Sequence, residues 1–264
     1  MFVALVPLIL ASCTPAVTPT AYPKESVPSG ESILSTESAA PAGPFDGTPA
    51  ENYAKGASGI SLPAAKAVTG FTQAEVGKAL KQVRRALVAG RLDHAMLVSH
   101  RPAIFLGLLA PSERKSIEKW FHNADFQTIA TWIDPAVRLD PDEQPRVSGR
   151  VTYSSVKEDG LRTLRITTNF IWVYAFAGEG QPIAAVHDEV QWDFPDPDRI
   201  RPADRGMWIG DSRSYSAWMD CDAAKKGLLA PGKRKMEPNP QPSATEDAAD
   251  FLRADHSLDI ADDC

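Results

Sequence analysis

From Thr163 to Phe176 the side chains alternate with period two. Leu164, Ile166, Thr168, Phe170, Trp172, Tyr174 and Phe176 share one face, and Thr163, Arg165, Thr167 and Asn169 share the other. A helix cannot use that spacing, because 3.6 residues per turn would scatter the aromatic side chains around its circumference. A strand so apolar on one face needs neighbouring strands and a covering layer. Its neighbours are legible too. Val147, Val151 and Tyr153 alternate with Ser148, Arg150 and Thr152, and Ile183–Phe194 places Val186, Val190, Trp192 and Phe194 on one face. Lys157-Glu158-Asp159-Gly160 and Gly178-Glu179-Gly180 supply the turns between them. With Thr128–Leu139 as a Pro-interrupted first strand and Met207–Met219 as a short last one, the pattern predicts an antiparallel meander of four to five strands.

The covering layer comes first in the chain. Thr72-Gln73-Ala74-Glu75 is a capping box, and Val76, Leu80, Val83 and Leu87 follow at helical spacing until Gly90 supplies a stop. Asp93 caps a second, shorter segment. Pro102–Leu109 reads as a buried apolar turn or helix, and Pro111-Ser112-Glu113 starts a helix running to about Phe121. N-terminal helices packed on an antiparallel sheet make the fold class α+β. The order of elements resembles the NTF2-like superfamily over roughly residues 70–220. That resemblance implies helices closing one side of a curved sheet to form a cone. A cystatin-like arrangement of helix on sheet is the alternative, separated by how strongly the sheet curves.

Composition sets the boundaries. All six Trp fall between Trp120 and Trp218. Residues 67–230 hold 21 Lys+Arg against 21 Asp+Glu, whereas residues 14–66 hold 3 against 5 and residues 231–264 hold 4 against 8. The negative balance of the chain, -6, therefore lies in the flanks, and a neutral domain over 67–230 argues against a nucleic-acid partner. Residues 13–66, rich in Pro, Ser, Thr and Ala, predict a disordered tether spanning roughly 40 Å. Residues 231–264 form an acidic, Pro-rich tail.

Residues 1–13 open as an apolar run and end in Leu10-Ala11-Ser12-Cys13, too short to cross a bilayer. Those four residues resemble the bacterial lipobox. The resemblance implies cleavage of a signal peptide before Cys13, lipidation of its thiol, and a membrane partner reached through that anchor on the extracytoplasmic face. Residues 1–12 carry no Lys or Arg, so the usual positive n-region is expected upstream of this Met. With Cys13 lipidated, Cys221 and Cys264 are left in an oxidising compartment, where they are expected to pair. Such a bridge would close a 44-residue loop, worth about 4 kcal/mol in chain entropy. A terminal cysteine can also pair between molecules.

One residue conflicts with its strand. Asp188 shares a face with Val186, Val190 and Trp192, which places a carboxylate on an apolar sheet surface. In NTF2-like enzymes a carboxylate in that position serves as general base beside a tyrosine, which makes Asp188, Tyr174 and Tyr153 the catalytic candidates of one reading. The plainer reading pairs Asp188 with an arginine. Phe170, Trp172 and Trp192 are the candidate walls of a pocket for a small apolar ligand. Asp193, Asp196 and Asp198 could approach a calcium ion, but the two prolines among them favour a solvated turn. The five histidines show no ligand spacing, and the chain has no nucleophile elbow, phosphate loop or CxxC pair, so no metal or cofactor is implied. The leading expectation is a noncatalytic lipoprotein binding a small apolar ligand or an envelope protein. An NTF2-like enzyme and a purely structural envelope component are the alternatives.

Overall fold

The computed structural model describes residues 43–158, 160–232, 250–253 and 255–258. Along them lie β1 (Ala54–Lys55), α1 (Gln73–Arg91), α2 (His94–Leu97), α3 (Ala103–Leu106) and α4 (Pro111–Glu118). Then follow β2 (Arg146–Glu158), β3 (Leu161–Ala175), β4 (Ile183–Pro195), β5 (Trp208–Ala217) and α5 (Cys221–Ala224). The strands form one antiparallel sheet in the order β1-β2-β3-β4-β5, so the fold is α+β with a five-stranded open meander. Glu158 faces Leu161 across the β2–β3 hairpin, and Gly160 takes the left-handed φ of 81° that such a tight turn requires.

Helix α1 starts as the capping box dictates. The Thr72 N–H donates to the Glu75 carboxylate at 2.7 Å, and the Glu75 N–H donates to the Thr72 hydroxyl at 3.3 Å. Its Val76, Leu80, Val83 and Leu87 share one core with Leu164, Ile166, Phe170 and Trp172 of β3. Burying each such side chain contributes roughly 1.5–3 kcal/mol, which is why the helix lies on this face of the sheet. Gly90 does not stop the helix, which runs on to Arg91. It serves close approach instead: a Cβ there would sit 2.7 Å from the Ile129 carbonyl oxygen, and the Gly90 carbonyl accepts the Thr131 N–H at 3.0 Å.

Three expectations are corrected. Thr128–Leu139 is not the first strand. It follows a 3-10 turn at Asp125–Thr128 and runs irregularly, with isolated bridges from Ile133 to Leu229 and from Leu139 to Phe176 in place of a ladder. Pro135 lacks a ladder donor, and the carbonyls of Gln127 and Ala130 are taken by Arg91, so the segment cannot pair as a strand.

The first strand is β1, inside the segment expected to be tether. Ala54 pairs with Val147 and Lys55 with Arg146. From Gly43 onward that segment belongs to the domain. Phe45 is buried beneath the Arg146 guanidinium, Ala50 is buried on the same face, and Ile60 enters the α1 core. Average composition concealed a few large apolar anchors spaced among small residues. Residues 1–42, with Cys13, the signal peptide and the rest of the expected tether, lie outside the described residues.

The tail also contributes packing. Asp250–Leu252 forms a 3-10 turn with Leu252 fully buried. The Tyr53 hydroxyl donates to the Leu252 carbonyl, and the Tyr215 hydroxyl donates to the Phe251 carbonyl at 2.8 Å. These terminal segments cover a second apolar surface on the far side of the sheet, made by Ile171, Val173, Ala175, Ile183, Ala185 and Ala217.

Candidate functional site

Asp188 lies on the helix-facing side of β4, opposite Phe170 of β3 and Ser214 of β5. It meets Arg91, the last residue of α1. The Arg91 Nε donates to Asp188 Oδ2 at 2.9 Å, and both side chains are 1% exposed. The Trp172 indole N–H donates to the same oxygen at 2.8 Å. The rest of the guanidinium is engaged as well. Its Nη1 donates to the Ala130 carbonyl at 2.7 Å and to Thr131 Oγ1 at 2.8 Å, and its Nη2 donates to the Gln127 carbonyl at 2.9 Å.

Tyr174 extends the network. Its hydroxyl donates to the Arg91 carbonyl at 3.0 Å and lies 3.2 Å from Thr131 Oγ1, whose own proton then points to the tyrosine oxygen. Burial pushes the Tyr174 phenol up to about 12, so near neutral pH it keeps its proton. Burial likewise raises the Asp188 carboxyl to about 6, against the pull of the Arg91 charge and the Trp172 and Arg91 hydrogen bonds. Asp188 Oδ1 has no hydrogen-bond partner among the described residues.

This arrangement clamps three elements. Arg91 ties the end of α1 to β4 through Asp188 and to the 127–131 segment through two carbonyls and a hydroxyl. Oδ2 already accepts two donors, and the ion pair is almost wholly excluded from solvent. A general base needs a substrate proton within hydrogen-bond reach, and here the nearest groups are those of the core. A cleft beside Arg91, lined also by Thr131, Trp132, Val186, Ser216 and Leu229, holds about 20 Å³. That is room for about one water molecule.

Of the sequence candidates, the structure brings together Asp188, Tyr174 and Trp172. Tyr153 is elsewhere: its hydroxyl donates to the Ala64 carbonyl and accepts the Lys66 N–H, each at 2.9 Å, holding down the segment that follows β1. Phe170, Trp172 and Trp192, expected as pocket walls, are core side chains, each with 0% exposure. Trp192 donates to Thr168 Oγ1 at 2.9 Å, which explains the one polar residue on the apolar face of β3. Asp193 is held by Arg165 at 2.8 and 2.9 Å rather than turned toward Asp196 and Asp198. Cys221 opens α5; Cys13 and Cys264 lie outside the described residues.

Sequence reasoning passed over Arg91, although a signal existed: it stands four residues after Leu87 and so continues the apolar stripe of α1. It also passed over His187, on the opposite side of β4 from Asp188. His187 is 1% exposed, with its ring nitrogens 3.2 Å from the Tyr215 oxygen and 3.1 Å from Asn169 Oδ1. Burial first, and the neighbouring His256 second, hold its imidazole down to about 4.

No protein family, no curated protein and no solved structure matches the chain.

Proposed function

We propose that the chain is an exported lipoprotein, anchored through Cys13 on the extracytoplasmic face of the cell membrane, whose domain acts by presenting its surface to an envelope protein. The observation that carries the surface-acting part of this reading is the buried clamp of Arg91, Asp188 and Trp172, with Phe170 and Trp192 fully buried in the same core. The residue best suited to interior chemistry is committed to holding α1 on the sheet, and the side chains suited to an apolar ligand fill the core themselves. Helices on one side of an antiparallel meander support the NTF2-like resemblance for the fold. In this reading its interior holds room for about one water molecule beside Arg91 and leaves the outside of the domain to do the work. A bridge between Cys221 and Cys264 belongs to the same proposal, since export gives the two thiols an oxidising compartment.

The test has two arms. In membrane fractionation without detergent and with a high-salt wash, which screens surface charge, the wild-type chain should sediment with membranes and Cys13→Ser should be released. Native mass spectrometry of the purified domain should show no copurifying small molecule. A Cys13→Ser protein that stays membrane-bound at high salt would overturn the anchor, and a stoichiometric apolar ligand would overturn the surface-acting reading.

A further inference from the structure

The neutral charge balance of the domain conceals a partition between its layers. Residues 73–122, which contain α1 to α4, carry 9 Lys+Arg against 4 Asp+Glu; residues 123–230, which contain β2 to β5, carry 12 against 17. Two of the charges in the helical layer are internal: Arg91 is matched by Asp188, and Glu113 is buried, where its carboxylate accepts the Ile209 N–H at 3.2 Å. Lys78, Lys81 and Arg85 are exposed at a spacing of three and four, which aligns them along one stripe of α1. Arg101, Lys115 and Lys119 add exposed cations from the α2–α3 connection, α4 and the turn after it. None of these six makes an ion pair among the described residues, whereas Arg165 and Arg213 on the sheet are paired with Glu158, Asp193 and Glu189.

The same layer carries the exposed large apolar side chains of the described residues. Val98 is 46% and Ile104 is 59% exposed, in the α2–α3 region, between the α1 stripe and α4. Helix α1 touches α2 and α3, and α3 touches α4, so the cations and the two aliphatic side chains belong to one continuous layer. Unpaired cations and exposed aliphatic side chains on one layer are what an anionic bilayer surface attracts: the charges meet lipid phosphates and the apolar tips enter the headgroup boundary.

We propose that the helical layer docks on an anionic lipid surface, so that the domain lies against the membrane with its acidic sheet side outward. The proposal deepens the anchored reading above, but its test dispenses with the anchor, so the two can fail separately. The full-length Cys13→Ser chain is mixed with vesicles of phosphatidylcholine alone, or with about a third phosphatidylglycerol, and sedimented at low and high salt. A cation near an anionic surface gains about fivefold in partition. Binding should therefore appear on the phosphatidylglycerol vesicles only and fall with salt.

Lys78→Glu/Lys81→Glu/Arg85→Glu should lower partition at least about tenfold, and Ile104→Asp about fivefold. The control Arg150→Glu/Lys157→Glu/Arg199→Glu makes the same charge change at exposed sheet-side positions and should leave binding within about twofold of the parent. Circular dichroism checks that each variant is folded, and the parent's lipid and salt dependence requires no variant. Three results would overturn the proposal: no binding to phosphatidylglycerol vesicles, equal binding to neutral ones, or an equal loss in the sheet-side control.

Discussion

Replacing Arg91 with Met keeps most of the aliphatic stem and removes the charge from a site almost wholly shielded from solvent. Two opposite charges about 4 Å apart attract by about 4 kcal/mol at an effective dielectric near 20. Breaking a buried pair from one side costs about 3–5 kcal/mol, because the survivor is left uncompensated. In this protein the survivor, Asp188, would keep only the Trp172 N–H, and Gln127, Ala130 and Thr131 would lose their donor too. The expected loss is about 4 kcal/mol, a large part of the roughly 5–15 kcal/mol that a domain has. Urea unfolding at neutral pH reads it, with the emission of the buried Trp172 and Trp192 as the signal. Asp188→Leu should be similarly costly. Arg91→Met/Asp188→Leu leaves no orphaned charge, so its loss should fall at least about 2 kcal/mol short of the sum of the single losses. An Arg91→Met protein within about 1 kcal/mol of wild type, or strictly additive losses, would refute the clamp.

Two further predictions concern neighbouring features. His187 titrates near 6.5 unfolded but only at about 4 when folded, so between those values the unfolded chain binds the extra proton and stability falls as pH drops. Asp188, raised to about 6, acts in the opposite sense and costs stability as pH rises from about 4 to 6. In urea unfolding from pH 7 to pH 4, His187→Gln should flatten the acid loss and Asp188→Asn should steepen it; unchanged slopes would contradict both assignments. Leu252→Ala should cost about 2–4 kcal/mol in thermal or urea unfolding, because its side chain is fully buried against the far face of the sheet. A change below about 0.5 kcal/mol would show that the tail does not pack there.

The parts of the fold legible in the sequence are those with strict periodicity or a local chemical signature. The β3 alternation and the reciprocal Thr72–Glu75 cap each act within a few residues, and both appear where expected. What escaped depends on partners distant in the chain. Phe45, Ala50 and Leu252 are isolated apolar residues in polar flanks, and only the far face of the sheet makes them core. That face announced itself weakly: Ile171, Val173 and Ala175 interrupt the polar side of β3, marking where it is covered. Asp188 was visible as an exception on an apolar strand, and Arg91 is the matching exception on an apolar helix stripe. They lie 97 residues apart, so their pairing was not readable from either segment alone. Tyr153 had the right face for a partner of Asp188 but the wrong neighbours, because its hydroxyl is claimed by the segment after β1.

If Cys13 ties this domain to a membrane, as proposed, the mature N-terminus carries the mark of it. Intact-mass measurement of the protein extracted from membranes should give a chain that starts at Cys13 and carries a diacylglycerol adduct on its thiol. A chain that retains residues 1–12 with an unmodified Cys13 thiol would contradict the account.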